Sequence, residues 1–174
     1  MKHIKKVFLF LFFISFFFAC KTTEANIYTI PQEEGQLIFL RPVDLVDKSF
    51  ILQKATFDIT VKIIDFSVTD ENIVNYTLYF PYQYYDFINQ AELFFSTDSE
   101  SKISLENVKI LYKDFDRKKN LEVRYSAGIS GEKVRKLLEN PENSRIGLSI
   151  DNQTTFFNSK AFSQKLYELG VIIL

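Results

Sequence analysis

Histidine, cysteine, methionine and tryptophan are almost missing from this chain: 174 residues contain one His (His3), one Cys (Cys20), one Met (Met1) and no Trp. A single thiol excludes an intrachain disulfide, so the fold must be held by its core, which a domain of about 150 residues can supply. Ser–His–Asp and Cys–His sites need a base that titrates near neutrality, and His3 is the lone imidazole. Structural zinc, haem and iron–sulfur centres need His or Cys in numbers this chain lacks, and no cofactor is implied. Glycine is sparse as well. Gly35, Gly128, Gly131, Gly147 and Gly170 fall singly in turns, caps or strands, so there is no Gly-rich loop to cradle a phosphate. No stretch is rich in Pro, Gly or Ser and no internal repeat occurs, which points to one domain.

Acidic residues are missing from the start. Lys2, Lys5 and Lys6 precede the first acid, Glu24, and a formal charge of −1 becomes −4 once those three lysines are set aside. They lead into an apolar run of 12 residues, Val7 to Phe18, broken only by Ser15. As a helix it would reach about 18 Å, short of the ~30 Å hydrocarbon core of a bilayer, whereas a basic start followed by 7–15 apolar residues is the pattern of a secretory signal peptide.

Ala19-Cys20 closes that run and resembles the lipobox of bacterial lipoproteins, in a relaxed spirochaete-like FFAC form with Phe17 and Phe18 before Ala19. The resemblance implies cleavage before Cys20, a diacylglycerol on its thiol and an acyl chain, such as palmitate, on its new amine. It implies a signal peptide over 1–19, a lipidated Cys20 with a short tether over 20–26, and a domain over 27–174 in the cell envelope. Thr23-Glu24-Ala25 is the competing cut, for an ordinary signal peptidase. Two or three acyl chains, at about 0.8 kcal/mol per buried CH₂, would hold such a domain on a membrane without a spanning helix. His3 would then be absent from the working protein.

The rest of the chain reads mainly as strand. Phe57, Ile59, Val61 and Ile63 alternate with Thr56, Asp58, Thr60 and Lys62, and Val74, Tyr76, Leu78 and Phe80 alternate with Asn75, Thr77 and Tyr79. Asp70-Glu71-Asn72 reads as the turn between them, and Pro81 ends the second run. Val108, Ile110 and Tyr112 lead into the loop 116–120, and Leu121, Val123, Tyr125 and Ala127 lead out. Shorter strands are expected over 36–40, 92–97 and 145–151. Ser130 is placed to cap a helix over 131–139, and Asn158 or Ser159 a second one to Leu169, with Gly170 just past its end. The apolar tail 171–174 is expected to be a last strand or a plug. The expected fold is an antiparallel β-sandwich or open barrel with two short peripheral helices.

Chemical motifs are few. Ser130-x-x-Lys133 and Ser99-x-x-Lys102 resemble the nucleophile motif of serine β-lactamases and penicillin-binding proteins, but the companion Ser-Asp-Asn and Lys-Thr-Gly motifs are missing and a helix cap explains Ser130. Asp114-Phe115-Asp116 lacks calcium-loop spacing, because Lys118 and Lys119 follow. Arg117-Lys118-Lys119 is too small a basic patch for nucleic acid, and reads as a solvated hairpin tip.

One segment is unusual. Tyr76 to Phe87 carries seven aromatics in twelve residues. Strand alternation turns Tyr76 and Phe80 inward and Tyr79 outward, and Tyr82, Tyr84 and Tyr85 follow Pro81. A Tyr ring has a flat apolar face and a polar tip, well suited to sugars or protein surfaces, so Tyr79, Tyr82, Tyr84 and Tyr85 are the candidate partner-binding residues. The expected function is a membrane-anchored, non-catalytic envelope lipoprotein that binds or supports a protein or glycan partner. One alternative is a carrier enclosing a lipid or other apolar ligand in a β-barrel cavity. Another is a carboxylate-dependent hydrolase of cell-wall glycans, which needs two facing acids.

Overall fold

The computed structural model describes residues 26–45, 52, 54–98, 102–117, 119–157 and 159–174. The alternating rows form a large antiparallel sheet. Its strands are β1 (Ile27–Pro31), β2 (Gln36–Leu45), β3 (Lys54–Ile64), β4 (Ser67–Val68), β5 (Asn72–Phe80), β8 (Glu106–Phe115) and β9 (Leu121–Ile129). They run in the order β1-β2-β3-β5-β9-β8, with β4 pairing β3. A second antiparallel sheet, β11-β10-β6-β7, contains β6 (Glu92–Ser96), β7 (Ile103–Ser104), β10 (Arg145–Ile150) and β11 (Gln153–Phe157). The structure is a two-sheet β-sandwich with two helices, α1 (Gly131–Glu139) and α2 (Lys160–Ile173); it does not close into a barrel.

The predicted rows meet in the middle. Phe57 on β3 packs edge-on against Phe95 of the second sheet and Phe162 of α2, with ring centroids 5.7 and 5.3 Å apart, and Tyr76 on β5 lies 5.5 Å from Phe57. All four are fully buried. Such aromatic pairs add roughly 0.5–1.5 kcal/mol each beyond the area they remove from water.

The turns have local causes. Asp65 and Phe66, and again Asp151 and Asn152, adopt φ between 48° and 60°. Two adjacent left-handed residues between paired strands make the tight hairpin whose twist suits β-structure; Ile64 pairs Ser67 and Ile150 pairs Gln153. The β1–β2 turn uses Gly35 at φ 81°, where a Cβ would fall 1.9 Å from the Ile63 carbonyl oxygen. On β2, Arg41 and Pro42 stand opposite the single residue Asp58, between the pairs Leu40–Ile59 and Val43–Phe57. That bulge accommodates Pro42, which has no N–H for the ladder.

Several expectations need correction. Ser130 occupies the N-cap of α1, but its side chain makes no capping bond. Instead the Asp70 carboxylate accepts the Gly131 N–H at 2.8 Å, from a different part of the chain. The geometry follows from close approach: a Cβ on Gly131 would meet the Val68 carbonyl oxygen at 2.6 Å, so the helix start presses on β4 and on the turn after it. Asn72 is not a solvated turn residue. It is buried at the head of β5, donating to the carbonyls of Thr69 and Ile129 and accepting the Lys62 N–H at 3.0 Å.

The tail 171–174 is neither strand nor plug, and Gly170 is not a stop. α2 continues through Gly170 to Ile173, with Gly170 in ordinary helical conformation and buried beside Leu138 of α1, and the Leu174 N–H closes the end on the Gly170 carbonyl. Ser159 does cap α2, its hydroxyl accepting the Phe162 N–H at 3.0 Å; the other candidate cap, Asn158, lies outside the described residues. Finally, β8 does not keep one face. Its register shifts between Ile110 and Tyr112, so Ile110 opposes inward Tyr125 whereas Tyr112 opposes outward Arg124.

Candidate functional site

Pro81 ends β5 by withholding a ladder donor, and the chain then curls into two single-turn 3₁₀ helices, Tyr82–Tyr84 and Ile88–Gln90. The Tyr84 N–H reaches the Pro81 carbonyl at 3.1 Å, and the Tyr85 N–H the Tyr82 carbonyl at 3.0 Å. With three residues per turn, side chains at i and i+3 lie over each other. Tyr82 and Tyr85 therefore stack, with centroids 6.1 Å apart and planes 20° apart. Tyr84 faces the other way, 6.3 Å from Phe80, and is only 6% exposed.

A third ring arrives from a distant strand. Phe115, the last residue of β8, lies 5.8 Å from Tyr82 and 6.2 Å from Tyr85, nearly parallel to the latter. It opposes inward-facing Leu121 on β9, but at the sheet edge the core runs out beneath it, and it is 46% exposed. Lys113, two residues earlier on the same face, holds its ammonium 4.8 Å from the Tyr85 centroid. Tyr82 and Tyr85 are 66% and 37% exposed. The result is a platform of three rings and one cation at one end of the sandwich, with ring faces available to a flat or apolar partner.

The turn beyond Phe115 is closed by Asp116, whose carboxylate accepts both the Asn120 N–H at 2.8 Å and its amide Nδ2 at 3.0 Å. Asp114 accepts the Phe115 N–H at 2.7 Å. These bonds fix Phe115 and account for the two aspartates that the sequence brings to this loop. Among the described residues no three His, Cys, Asp or Glu side chains converge as metal ligands would.

The four candidate tyrosines do not form one patch. Tyr79 opposes Glu122, which alternates with Leu121, so Tyr79 lies on the outer face of the large sheet while Tyr82 and Tyr85 lie with Phe115 on the other side. Its neighbours there are Lys54, 5.9 Å from its ring, and the Glu122 carboxylate. Partial burial, with Glu122 in support, raises the Tyr79 pKa. Tyr112 donates its hydroxyl to the same carboxylate, and that bond pushes its pKa up to about 12. Two phenols on one glutamate form a polar cluster and not a ring platform.

The remaining candidates are placed as follows. Cys20, Ser99 and Lys118 lie outside the described residues. Lys133 bonds Glu106 at 2.8 Å and Lys102 bonds Glu92 at 2.7 Å, so neither ammonium is held for a serine. Among the described residues, the carboxyl group with a raised pKa is Asp58, where desolvation outweighs a hydrogen bond from Asn75 and the Arg124 charge; it faces an amide and a guanidinium, not a second acid. A surface depression of about 550 Å³ beside α2 is lined by residues such as Glu142, Ser159, Lys160 and Tyr167, a polar wall and not a Phe- and Ile-lined cavity. Phe115 and Lys113 were not legible as site residues, since only the β8–β9 register sets them beside Tyr85. No family model, curated protein or solved structure matches this chain.

Proposed function

We propose that this protein is a non-catalytic module of a bacterial cell envelope, anchored by lipid on Cys20, that binds a protein or glycan partner on the Tyr82–Tyr85–Phe115 platform. The observation that carries the reading is three exposed rings within 6.2 Å of one another, with Lys113 poised over one of them. Sugar rings and apolar side chains both stack on such faces, and the adjoining ammonium supplies a donor for a hydroxyl or carboxylate. Aromatic side chains with few rotatable bonds lose little entropy on contact, which is why they dominate the energetics of recognition surfaces.

Crosslinking pull-down from native membranes tests the platform. Wild type should capture a partner that the Tyr82→Ser, Tyr85→Ser double variant loses, with both proteins equally abundant in the membrane fraction. Equal capture by the two would remove the platform from the function. Mass spectrometry of the native protein tests the anchor: an acylated N-terminal Cys20 is expected, and a Cys20→Ala variant should stay unprocessed. A mature chain that starts at Asn26 and leaves the membrane would refute it.

A further inference from the structure

We propose that the domain rests on the lipid surface that holds its anchor, through the outer face of the β1–β2 hairpin and the exposed ring of Phe66. The inference deepens the anchored reading and rests on it.

Three observations lead there. First, β1 is the edge strand of the large sheet, and its outward residues are apolar: Tyr28 and Ile30 are each 42% exposed. Tyr28 stacks on Phe39 with centroids 5.0 Å apart and planes 10° apart, and the Arg41 guanidinium lies 5.7 Å above the Tyr28 ring. Ile30 pairs Leu37, and the row continues from Phe39 through Thr60 to exposed Ile73. An amphipathic ring beside an arginine, on a strip whose apolar residues are bordered on β3 by Thr60 and by Lys62 opposite Leu37, suits the layer between lipid tails and headgroups.

Second, Phe66 is fully exposed at the tip of the β3–β4 hairpin, at φ 60°. That position favours Asn or Gly, and a bulky side chain there costs backbone energy. Within the domain the ring buries nothing in return. The tip lies at the Gly35 end of the β1–β2 hairpin, since Gly35 approaches the backbone of Ile63 and Ile64.

Third, the chain before β1 decides which surface this strip meets. Six residues, 21–26, lead from the acylated position to β1, and they can span at most about 20 Å. A strip attached so closely to a membrane meets it at an effective concentration in the millimolar range, so a weak surface affinity is enough to seat it. Glu33, Glu34 and Asp65 flank the Phe66 end, so the surface that fits is zwitterionic, not strongly anionic. The platform lies at the opposite edge, on β8, five strand spacings or roughly 24 Å from β1. Seating the β1 edge on lipid turns Tyr82, Tyr85 and Phe115 away from the membrane, towards a partner.

The chain has no Trp, so each substitution to Trp makes a single fluorophore. The full lipidated protein is reconstituted into phosphatidylcholine vesicles with or without brominated acyl chains, carrying Tyr28→Trp, Phe66→Trp or, on the outer face of the second sheet, Phe156→Trp. Emission at 28 and 66 should be largely lost in the brominated vesicles and that at 156 kept. All three positions lie on exposed side chains, and an unchanged circular dichroism spectrum confirms folding. Full emission at 28 and 66 from protein that still floats with the vesicles overturns the docking while the anchor stands; equal quenching at all three sites overturns it too. Protein that does not float at all removes the anchor, and the docking with it.

Discussion

Tyr76 and Tyr125 are cross-strand partners in the core, and removing their hydroxyls should move stability in opposite directions. Both rings are essentially fully buried. The Tyr125 hydroxyl donates to the Ile88 carbonyl at 2.8 Å, whereas the Tyr76 hydroxyl has no hydrogen-bond partner among the described residues. An unpaired buried hydroxyl costs roughly 1–3 kcal/mol, and Tyr76→Phe keeps the ring that packs on Phe57 and Phe95 while removing that cost. The variant should gain about 1 kcal/mol, or about 2–4 °C in Tm for a domain of this size. Tyr125→Phe loses a real bond, although the Ile88 carbonyl keeps the Ala91 N–H at 3.3 Å, so the expected loss is also about 1 kcal/mol.

Burial raises both phenol pKa values above the ordinary 10. The folded chain therefore holds these protons after the unfolded chain has released them. Their contribution is complete below about pH 10 and is lost as pH rises beyond it, at about 1.4 kcal/mol per pH unit for each group. Tyr76→Phe should flatten that alkaline decline. Urea unfolding followed by circular dichroism from pH 7 to 11 measures both effects. A Tyr76→Phe variant that is 1 kcal/mol less stable than wild type would refute the reasoning, by showing that the hydroxyl is paired.

Asp70→Ala should cost about 1 kcal/mol by uncapping α1, while Ser130→Ala should change stability by less than about 0.5 kcal/mol; the same urea curves decide, and the reverse order would return the cap to Ser130. Gly35→Ala must place a Cβ on the Ile63 carbonyl at a left-handed φ, and a loss of at least about 2 kcal/mol is expected in thermal melts; a neutral result would mean that the turn repacks freely. The pKa of Asp58 is raised, so its contribution to stability is greatest below the ordinary carboxylate range and declines as pH rises through it. Asp58→Asn should abolish that acid-side dependence, and leave neutral stability within about 1 kcal/mol because Arg124 keeps access to water; an unchanged pH profile would exclude Asp58 as its source.

Much of the fold was legible because burial on one face imposes a period of two wherever a strand covers a core. The rows through Phe57 and Tyr76, the helix over 131–139 and the stop at Pro81 are local patterns, and the structure keeps them. The short edge strands were not, since β1 and β11 bury little and carry no full alternation; the Asp151-Asn152 pair before β11 was the one signal for a tight hairpin there.

The residues by themselves determined a β-rich chain without thiol or imidazole chemistry in its domain, and a concentration of tyrosines after β5. Which of those tyrosines stand together was a tertiary decision. A 3₁₀ turn stacks Tyr82 on Tyr85 and sends Tyr84 into the core, the pleat puts Tyr79 on the opposite face, and the β8–β9 register carries Phe115 and Lys113 across some thirty positions of sequence to complete the platform. Local periodicity tells a side chain only whether it faces in or out. Its neighbours depend on strand pairing and turn geometry, which are settled when the whole core packs.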